Sequence, residues 1–332
     1  MAWDGVRAAK AEHEAALFSR ANVVGVAIAR KVVGRRETDE PCVVVYVERK
    51  KPEAQLARRD VVPKALEGVR TDVVETGRFH ALGSAPPDVV ERTSRVRPAP
   101  GGVSIGHPRT TAGTLGVVAR TRSGGRVILS NNHVLANSND AKAGDVILQP
   151  GPADGGRPDD GIARLASFVP LVFDDRDLGP FGRFLERLFG PLLSWAGLGL
   201  KRLPTGRTNL VDAALAEPLD PDDVRAEILE IGRVAGTAVP EIGLRVRKSG
   251  RTTGLTSGRV TGLDAVVTVD YGGRSAVFRR QVVSDLLSKG GDSGSLIVDD
   301  SNRAVGLLFA GSAVTTLLNP IDAVLRQMEL EI

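Results

Sequence analysis

Two short segments of the sequence carry residue types that suit nucleophilic catalysis. Ser293 lies in the glycine-flanked run 290–295, at the start of an apolar segment. A serine hydroxyl is inert at its free pKa, so it needs a neighbouring base to remove its proton. Because the flanking residues are small, the backbone N–H groups of Gly291 and Ser293 can converge on a developing oxyanion. This run therefore predicts both a nucleophile and an oxyanion hole.

The second segment supplies a candidate base. It reads SNNH over 130–133, follows an apolar run and precedes a short apolar turn, so His133 lies where a strand ends. The other three histidines lack such surroundings, and we interpret them as structural residues: His13, His80 and His107. A serine and a histidine together predict acyl transfer, in which the imidazole takes the hydroxyl proton and later returns it.

The order of residues in the serine segment distinguishes two classes of hydrolase. The nucleophile elbow of the α/β-hydrolases requires G-x-S-x-G, and Ser295 occupies the place of its second glycine. The histidine also precedes the serine along the chain, which is the order of chymotrypsin-type enzymes and the reverse of the order in α/β-hydrolases.

The motifs resemble those of the trypsin/chymotrypsin-like serine peptidase superfamily. The likeness rests on GDSG at 291–294 and SNNH at 130–133, with GTLG at 113–116, QPGP at 149–152 and GRTTG at 250–254. The chain is similar to bacterial trypsin-like peptidases with a small N-terminal α+β domain, akin to the plant narrow-leaf type proteins. The resemblance covers about residues 100–320 and, more loosely, 22–78. It implies a serine endopeptidase that forms an acyl-enzyme on Ser293 and acts on a protein or peptide, with no cofactor and no metal.

The acid that orients the histidine has two candidates. The resemblance points to Asp212, which heads the apolar segment 213–216. Asp160 also precedes an apolar run and is the alternative. We favour Asp212, because the segment 162–168 then supplies the strand expected between histidine and acid.

The resemblance also implies a substrate pocket. Its floor is expected six residues before the nucleophile, at Leu287, where an uncharged side chain favours apolar or small residues before the scissile bond. The strand 306–311 is expected to form the pocket wall and to pair with the substrate backbone by strand addition. The predicted substrate-binding residues are Leu287, Leu308, Phe309, Ala310 and Gly311, with Phe309 narrowing the pocket. A shift of the loop that brings Asp285 into range stays an alternative.

Composition and charge exclude several other classes of protein. A formal net charge of +4 over 332 residues, without a basic stripe, does not indicate a nucleic-acid partner. The single cysteine, Cys42, forms no intramolecular disulfide and favours a reducing compartment. The first twenty residues carry charges that interrupt any apolar run, unlike a signal peptide. We expect a cytoplasmic protein.

The elements that position these residues are mostly short strands. Aromatic residues make up 4% of the chain, whereas its 38 glycines and 19 prolines favour strands and turns. The predicted domains are a small α+β unit at 1–83, a Pro-rich linker at 84–101 and a mainly β, chymotrypsin-like double β-barrel at 102–332. The N-terminal unit is expected to hold a helix at 1–20, strands at 22–29, 42–47 and 69–76, and a helical segment at 52–59. A terminal helix is expected at 321–331.

A helical insertion is predicted at about 174–208, where apolar and aromatic residues are concentrated. Its apolar face must be covered, and docking on the barrel, on a partner or across a homo-oligomer contact is favoured over contact with a membrane surface. Two alternatives to a general endopeptidase stay open. One is a regulatory scaffold on a peptidase fold, and the other is a self-cleaving protein with little activity on other substrates.

Overall fold

The structure, a computed structural model, describes residues 2–34, 36–82, 90–174 and 208–332. The N-terminal part holds one helix and five strands: α1 Ala2–Phe18, β1 Val23–Val33, β2 Arg36–Val47, β3 Ala65–Leu66, β4 Val69–Glu75 and β5 Phe79–Ala81. The predicted helix and three strands correspond to α1, β1, β2 and β4. The predicted helical segment at 52–59 is two single 3₁₀ turns, Glu53–Gln55 and Arg58–Asp60, which bury no residue.

The N-terminal unit is a helix packed on a small sheet. Val6 and Leu17, about three turns apart on one face of α1, are buried against Val26 and Val45 of the sheet. β1 and β2 form an antiparallel hairpin, and β4 pairs with β2 in parallel. β1 then pairs with β17 (Gly254–Asp270), so the N-terminal sheet continues into the C-terminal half of the chain.

The middle of the chain forms the first barrel. Its elements are β6 Ala99–Gly101, β7 Ser104–Ile105, β8 Gly113–Thr114, β9 Val117–Thr121, β10 Arg126–Ser130, α2 Asn132–Leu135, β11 Val146–Leu148, β12 Gly161–Phe168, β13 Ala214–Pro218, β14 Val224–Ile228 and β15 Gly232–Arg233. Strands pair in the order β11-β12-β13-β10-β9, and the last strand of the chain, β22 (Leu330–Glu331), pairs with β9. Alternating residues of β10 point to two different apolar clusters, with Ile128 in one and Leu129 in the other.

The C-terminal half forms the second barrel. It begins with β16 Arg245–Gly250, which precedes β17. After β17 come β18 Ser275–Ser284, β19 Leu296–Asp299, β20 Ala304–Gly311, β21 Thr316–Pro320 and the helix α3 Ile321–Met328. The antiparallel pairs β16–β19, β19–β20, β20–β21, β21–β18, β18–β17 and β17–β16 complete a closed ring. The ring pairs each strand with two neighbours, whereas the C-terminal ends of β17 and β20 extend past their β16 and β19 partners and leave edges there.

The predicted fold class, a mainly β double barrel after a small α+β unit, is confirmed. β17 is one long strand, and its pairing with β18 shifts register between Val260 and Val267. The range predicted as linker overlaps β6, which is buried and pairs with β14, so the chain enters the first barrel before residue 102. The predicted insertion at 174–208 lies, apart from its two end residues, outside the described residues.

Among the described residues, none of the helices is long and apolar enough to cross a bilayer.

Candidate active site

The serine loop lies between the two barrels, just before β19. Gly291 has φ +95°, a left-handed conformation that side-chain-bearing residues rarely adopt. A Cβ at Gly291 would also collide with Thr252 Oγ1 and lie 3.0 Å from Arg251 Nη1. The glycine is therefore required both by the backbone conformation and by lack of space. Ser293, two residues later, is completely buried.

Two threonine hydroxyls fix the peptide groups of the serine loop. Thr252 Oγ1 donates to the carbonyl of Gly290 at 2.6 Å, and Thr114 Oγ1 donates to the carbonyl of Gly291 at 2.8 Å. In a trans peptide the N–H points opposite to the C=O, so anchoring the Gly290 carbonyl aims the Gly291 N–H away from Thr252. Within the described part of the chain, neither this N–H nor that of Ser293 donates a hydrogen bond. Both donors stay free to bind an anionic oxygen.

A buried ion pair supports the loop from beneath. Lys248 and Asp292 are both completely buried, and Lys248 Nζ lies 3.3 Å from Asp292 Oδ2. The other oxygen, Oδ1, accepts from the backbone N–H of Thr252 at 2.9 Å and of Thr253 at 3.1 Å. The N–H of Lys289 donates to Oδ2 at 2.9 Å. One carboxylate thus ties the GRTTG segment to the GDSG segment, with its charge balanced by an internal lysine.

The candidate base lies at the start of α2, beside a buried acid. His133 Nδ1 is 2.6 Å from Asp212 Oδ2, and the backbone N–H of His133 donates to Oδ1 at 3.3 Å. Asn131 Nδ2 donates to the Asp212 carbonyl at 2.7 Å, which ties the two chain segments together beside the site. A carboxylate at this distance holds the Nδ1 proton and leaves Nε2 as the acceptor.

Two residues that the sequence analysis did not single out complete the surroundings of Asp212. Asn319 Oδ1 accepts from the Asp212 N–H at 2.9 Å, and the hydroxyl of Tyr271 donates to Asp212 Oδ2 at 2.8 Å. Burial, together with the adjacent carboxylate, raises the pKa of Tyr271 well above its usual range, so this hydroxyl keeps its proton at neutral pH. Neither contact can be predicted from the sequence around Asp212, because Tyr271 and Asn319 lie far from it along the chain.

We expect the Tyr271→Phe variant to react about tenfold more slowly at Ser293, because it loses a hydrogen bond to a charged group. The hydroxyl holds Asp212 Oδ2, the oxygen that contacts His133 Nδ1, so its loss leaves the imidazole less firmly placed. Labelling rates with a fluorophosphonate, measured across pH, test this positioning role. The other buried tyrosine gives a matched control, Tyr46→Phe, and equal profiles for both variants would contradict the prediction.

The serine hydroxyl does not contact the imidazole in this structure. Ser293 Oγ lies 3.3 Å from the carbonyl oxygen of Phe309 and 3.4 Å from that of Leu82. His133 Nε2 is buried and has no hydrogen-bond partner among the described residues. Catalytic hydrogen bonds are often long or misaligned without substrate and tighten only in the complex.

A glycine lets the histidine and serine elements lie close together. A Cβ at Gly113 would overlap the side chain of Val134, the residue after His133, and would lie 3.0 Å from the Ser293 carbonyl oxygen. The N–H of Thr114 donates to that carbonyl at 2.8 Å. The GTLG motif therefore forms the contact between the two halves of the site.

Two other predicted site residues, Asp160 and Leu287, lie at the surface. Asp160 lies at a surface turn, where its side chain accepts from Arg157 N and faces Arg95, so it does not approach His133. Leu287, predicted as the pocket floor, is 53% exposed, whereas its neighbour Leu286 is buried. Successive side chains of an extended segment point to opposite sides, so Leu286 is the buried side chain at this point.

The predicted substrate strand is β20. Leu308, Phe309, Ala310 and Gly311 are all buried there. The Phe309 ring packs on Phe278, with 4.6 Å between ring centroids, in the cluster between the second barrel and the N-terminal sheet. Leu308 belongs to a different cluster, which also contains Leu286. The side chains of Leu308 and Phe309 therefore pack on opposite faces of β20.

Comparison with known proteins gives short stretches of sequence similarity. No family model matches the chain. Serine protease 2 of Streptomyces fradiae is 42% identical over 79 residues, which are 24% of this chain and 43% of that protein. Streptogrisin-A of Streptomyces griseus is 38% identical over 89 residues, which are 25% of this chain and 29% of that protein. The chain therefore matches less than half the length of either relative.

Solved structures of bacterial proteases align with a larger share of the chain. The chymotrypsin of Cellulomonas bogoriensis covers 70% of this chain and 97% of its own, with 18% identity and a TM-score of 0.43. Protease A of Thermobifida fusca covers 70% and 96%, with 16% identity and a TM-score of 0.44. In its double-barrel topology and in these short stretches of sequence, the chain is similar to trypsin/chymotrypsin-like serine peptidases.

Proposed function

We propose that the chain is a serine endopeptidase that hydrolyses peptide bonds through an acyl-enzyme on Ser293. The observation that carries this proposal is the contact between His133 Nδ1 and the fully buried Asp212 Oδ2 at 2.6 Å, next to the serine loop. A buried carboxylate in contact with one nitrogen of an imidazole fixes the tautomer that leaves the other nitrogen as a base. The relatives that the chain matches in sequence are serine proteases by name.

Each residue has a defined role in the proposed mechanism. Ser293 Oγ attacks the substrate carbonyl carbon while His133 Nε2 accepts its proton. The N–H groups of Gly291 and Ser293 bind the oxyanion, and Asp212 stabilises the imidazolium that forms. His133 then protonates the leaving amine. Water repeats the same steps on the ester and frees Ser293.

The support for a preformed oxyanion hole is the pair of free N–H groups of Gly291 and Ser293. Thr252 bonds the Gly290 carbonyl, in the peptide group of the Gly291 N–H, and Ser295 bonds the Asp292 carbonyl, in the peptide group of the Ser293 N–H. The internal Lys248 balances the charge of Asp292 beneath the loop. Because Lys248 already supplies a cation to Asp292, the loop requires no further positive charge. We therefore propose that the second barrel reaches its active conformation on folding. We also propose a cytoplasmic location, on the ground of the single cysteine.

Covalent labelling tests the proposed function. A fluorophosphonate reacts with a serine only when a base activates the hydroxyl and an oxyanion hole receives the phosphonyl oxygen. We expect intact mass to show one adduct on the full chain and none on Ser293→Ala. A matched control is Ser301→Ala, which removes an exposed serine hydroxyl outside the serine loop. An adduct on Ser293→Ala, or a wild type and a Ser301→Ala variant that both stay unlabelled, would refute the proposal.

A further inference from the structure

A strand of the N-terminal unit occupies the position expected for substrate. β5 lies beside the end of β20, antiparallel to it, with Ala81 opposite Ala310 and His80 opposite Gly311. On its other side, β5 pairs in parallel with the end of β17. Ala310 and Gly311 are the residues predicted to bind a substrate backbone. The chain therefore adds its own strand to the edge that strand addition by a peptide would use.

The next residue brings a carbonyl to the nucleophile. Leu82 follows β5 directly, and its carbonyl oxygen lies 3.4 Å from Ser293 Oγ. The other carbonyl at this distance belongs to Phe309, in the middle of β20. A peptide that pairs with β20 through two residues and presents its third carbonyl to Ser293 has the direction and the register of a substrate.

The side chains of this segment also fit the site. Leu82 is half-buried and packs against the apolar cluster that contains Leu286 and Leu308. Its apolar side chain is therefore covered by apolar neighbours beside the serine loop. The residues on either side of Leu82, Ala81 and Gly83, are small. Because Gly83 is not proline, the nitrogen of the 82–83 peptide bond leaves as a primary amine.

We propose that the chain is its own substrate and cleaves the peptide bond between Leu82 and Gly83. The inference rests on the proposed endopeptidase activity of Ser293 and names one bond on which it acts. Ser293 Oγ bonds to the Leu82 carbonyl carbon as its proton passes to His133. The carbon–nitrogen bond to Gly83 breaks, and that nitrogen takes the proton from His133. One water then hydrolyses the ester, leaving a Leu82 carboxylate and the free Ser293 hydroxyl.

Cleavage would leave a two-chain protein. Residues 1–82 stay attached through the pairing of β1 with β17 and of β5 with β17 and β20. Because the strand is tethered beside the nucleophile, its effective concentration is set by the fold and not by dilution. The rate of cleavage should therefore be independent of protein concentration.

The test follows the full chain over time by intact mass under denaturing conditions. We expect wild type to give a fragment that ends at Leu82 and one that begins at Gly83, at a rate unchanged by tenfold dilution. The Ser293→Ala variant should stay whole, alone and mixed with wild type. Cleavage elsewhere, a rate proportional to concentration, or cleavage of Ser293→Ala by wild type would overturn the proposal.

A second variant separates this proposal from the proposed function. Leu82→Asp places a carboxylate against the apolar cluster, so we expect no cleavage at 82–83 and retained fluorophosphonate labelling at Ser293. The matched control is Leu255→Asp on the exposed Leu255, which should be cut and labelled like wild type. A labelled wild type that stays whole would overturn self-cleavage alone. If wild type and Leu82→Asp are both unlabelled and uncut, both proposals fail.

Discussion

Replacing Asp212 by asparagine is expected to slow acylation of Ser293 about 10⁴-fold while the protein stays folded. The carboxylate lies 2.6 Å from His133 Nδ1 and so keeps the proton on that nitrogen. An asparagine amide can present its own N–H there, which favours the tautomer with the proton on Nε2. That tautomer has no acceptor left for the serine proton. The rate of fluorophosphonate labelling measures the loss.

The rejected acid provides the matched control for this experiment. Asp160→Asn makes the same chemical change at a surface turn, away from His133, and should leave the labelling rate within about twofold of wild type. Thermal unfolding of both variants separates a loss of reactivity from a loss of fold. A labelling rate for Asp212→Asn close to that of wild type, or a larger loss in Asp160→Asn, would contradict the assignment of the acid.

The second large effect is expected at Lys248. Replacing it by methionine keeps most of the side-chain volume but leaves the carboxylate of Asp292 buried without its counter-charge. Breaking a buried ion pair in this way costs about 3–5 kcal/mol of folding free energy. The same carboxylate binds the N–H groups of Thr252 and Thr253, so the serine loop should also lose its fixed conformation. We expect lower stability in urea and slower labelling together.

An exposed lysine serves as the control. Lys142→Met removes the same charge from the surface, and surface substitutions usually change stability by less than about 0.5 kcal/mol. A double variant with Asp292→Asn removes both charges of the buried pair, and its loss of stability should be smaller than the sum of the two single losses. Equal stabilities for Lys248→Met and Lys142→Met would show that Asp292 does not depend on the lysine.

The site links these two effects. In the proposed mechanism, Asp212 acts on the histidine from the side of the first barrel, and Lys248 supports the oxyanion hole from inside the second. Ser293 lies at the contact between the barrels. Asp212→Asn should therefore lower the labelling rate without unfolding the protein, whereas Lys248→Met should lower both the labelling rate and the stability. Measuring both quantities for each variant distinguishes a catalytic loss from a structural one.

The sequence by itself determined the local features of the site. The glycine-flanked Ser293 and the SNNH segment at His133 are readable because each is a short run whose residues fit one turn. Gly291 needs its positive φ whatever surrounds it. Regular short strands between glycine-rich turns likewise predicted a mainly β double barrel, since alternation and turn residues are properties of neighbouring positions.

Only the tertiary structure decided which distant residues meet. Asp212 and Asp160 both head apolar segments, and the contact of Asp212 with His133 depends on the pairing of β10 with β13. The direction of Leu286 and Leu287 depends on strand register, because a step of one residue exchanges the buried and exposed faces. Such choices are made by packing, which no local pattern records.

The same reason explains what the sequence analysis missed. Lys248 beneath Asp292 and Tyr271 on Asp212 are contacts between different strands of a closed barrel and the loops beside them. The strand Phe79–Ala81 is too short to give a periodic signal, and it exists because β17 and β20 leave an edge for it. Its arrival at Ser293 is a consequence of three-dimensional closure, and that arrival makes the chain a candidate for its own substrate.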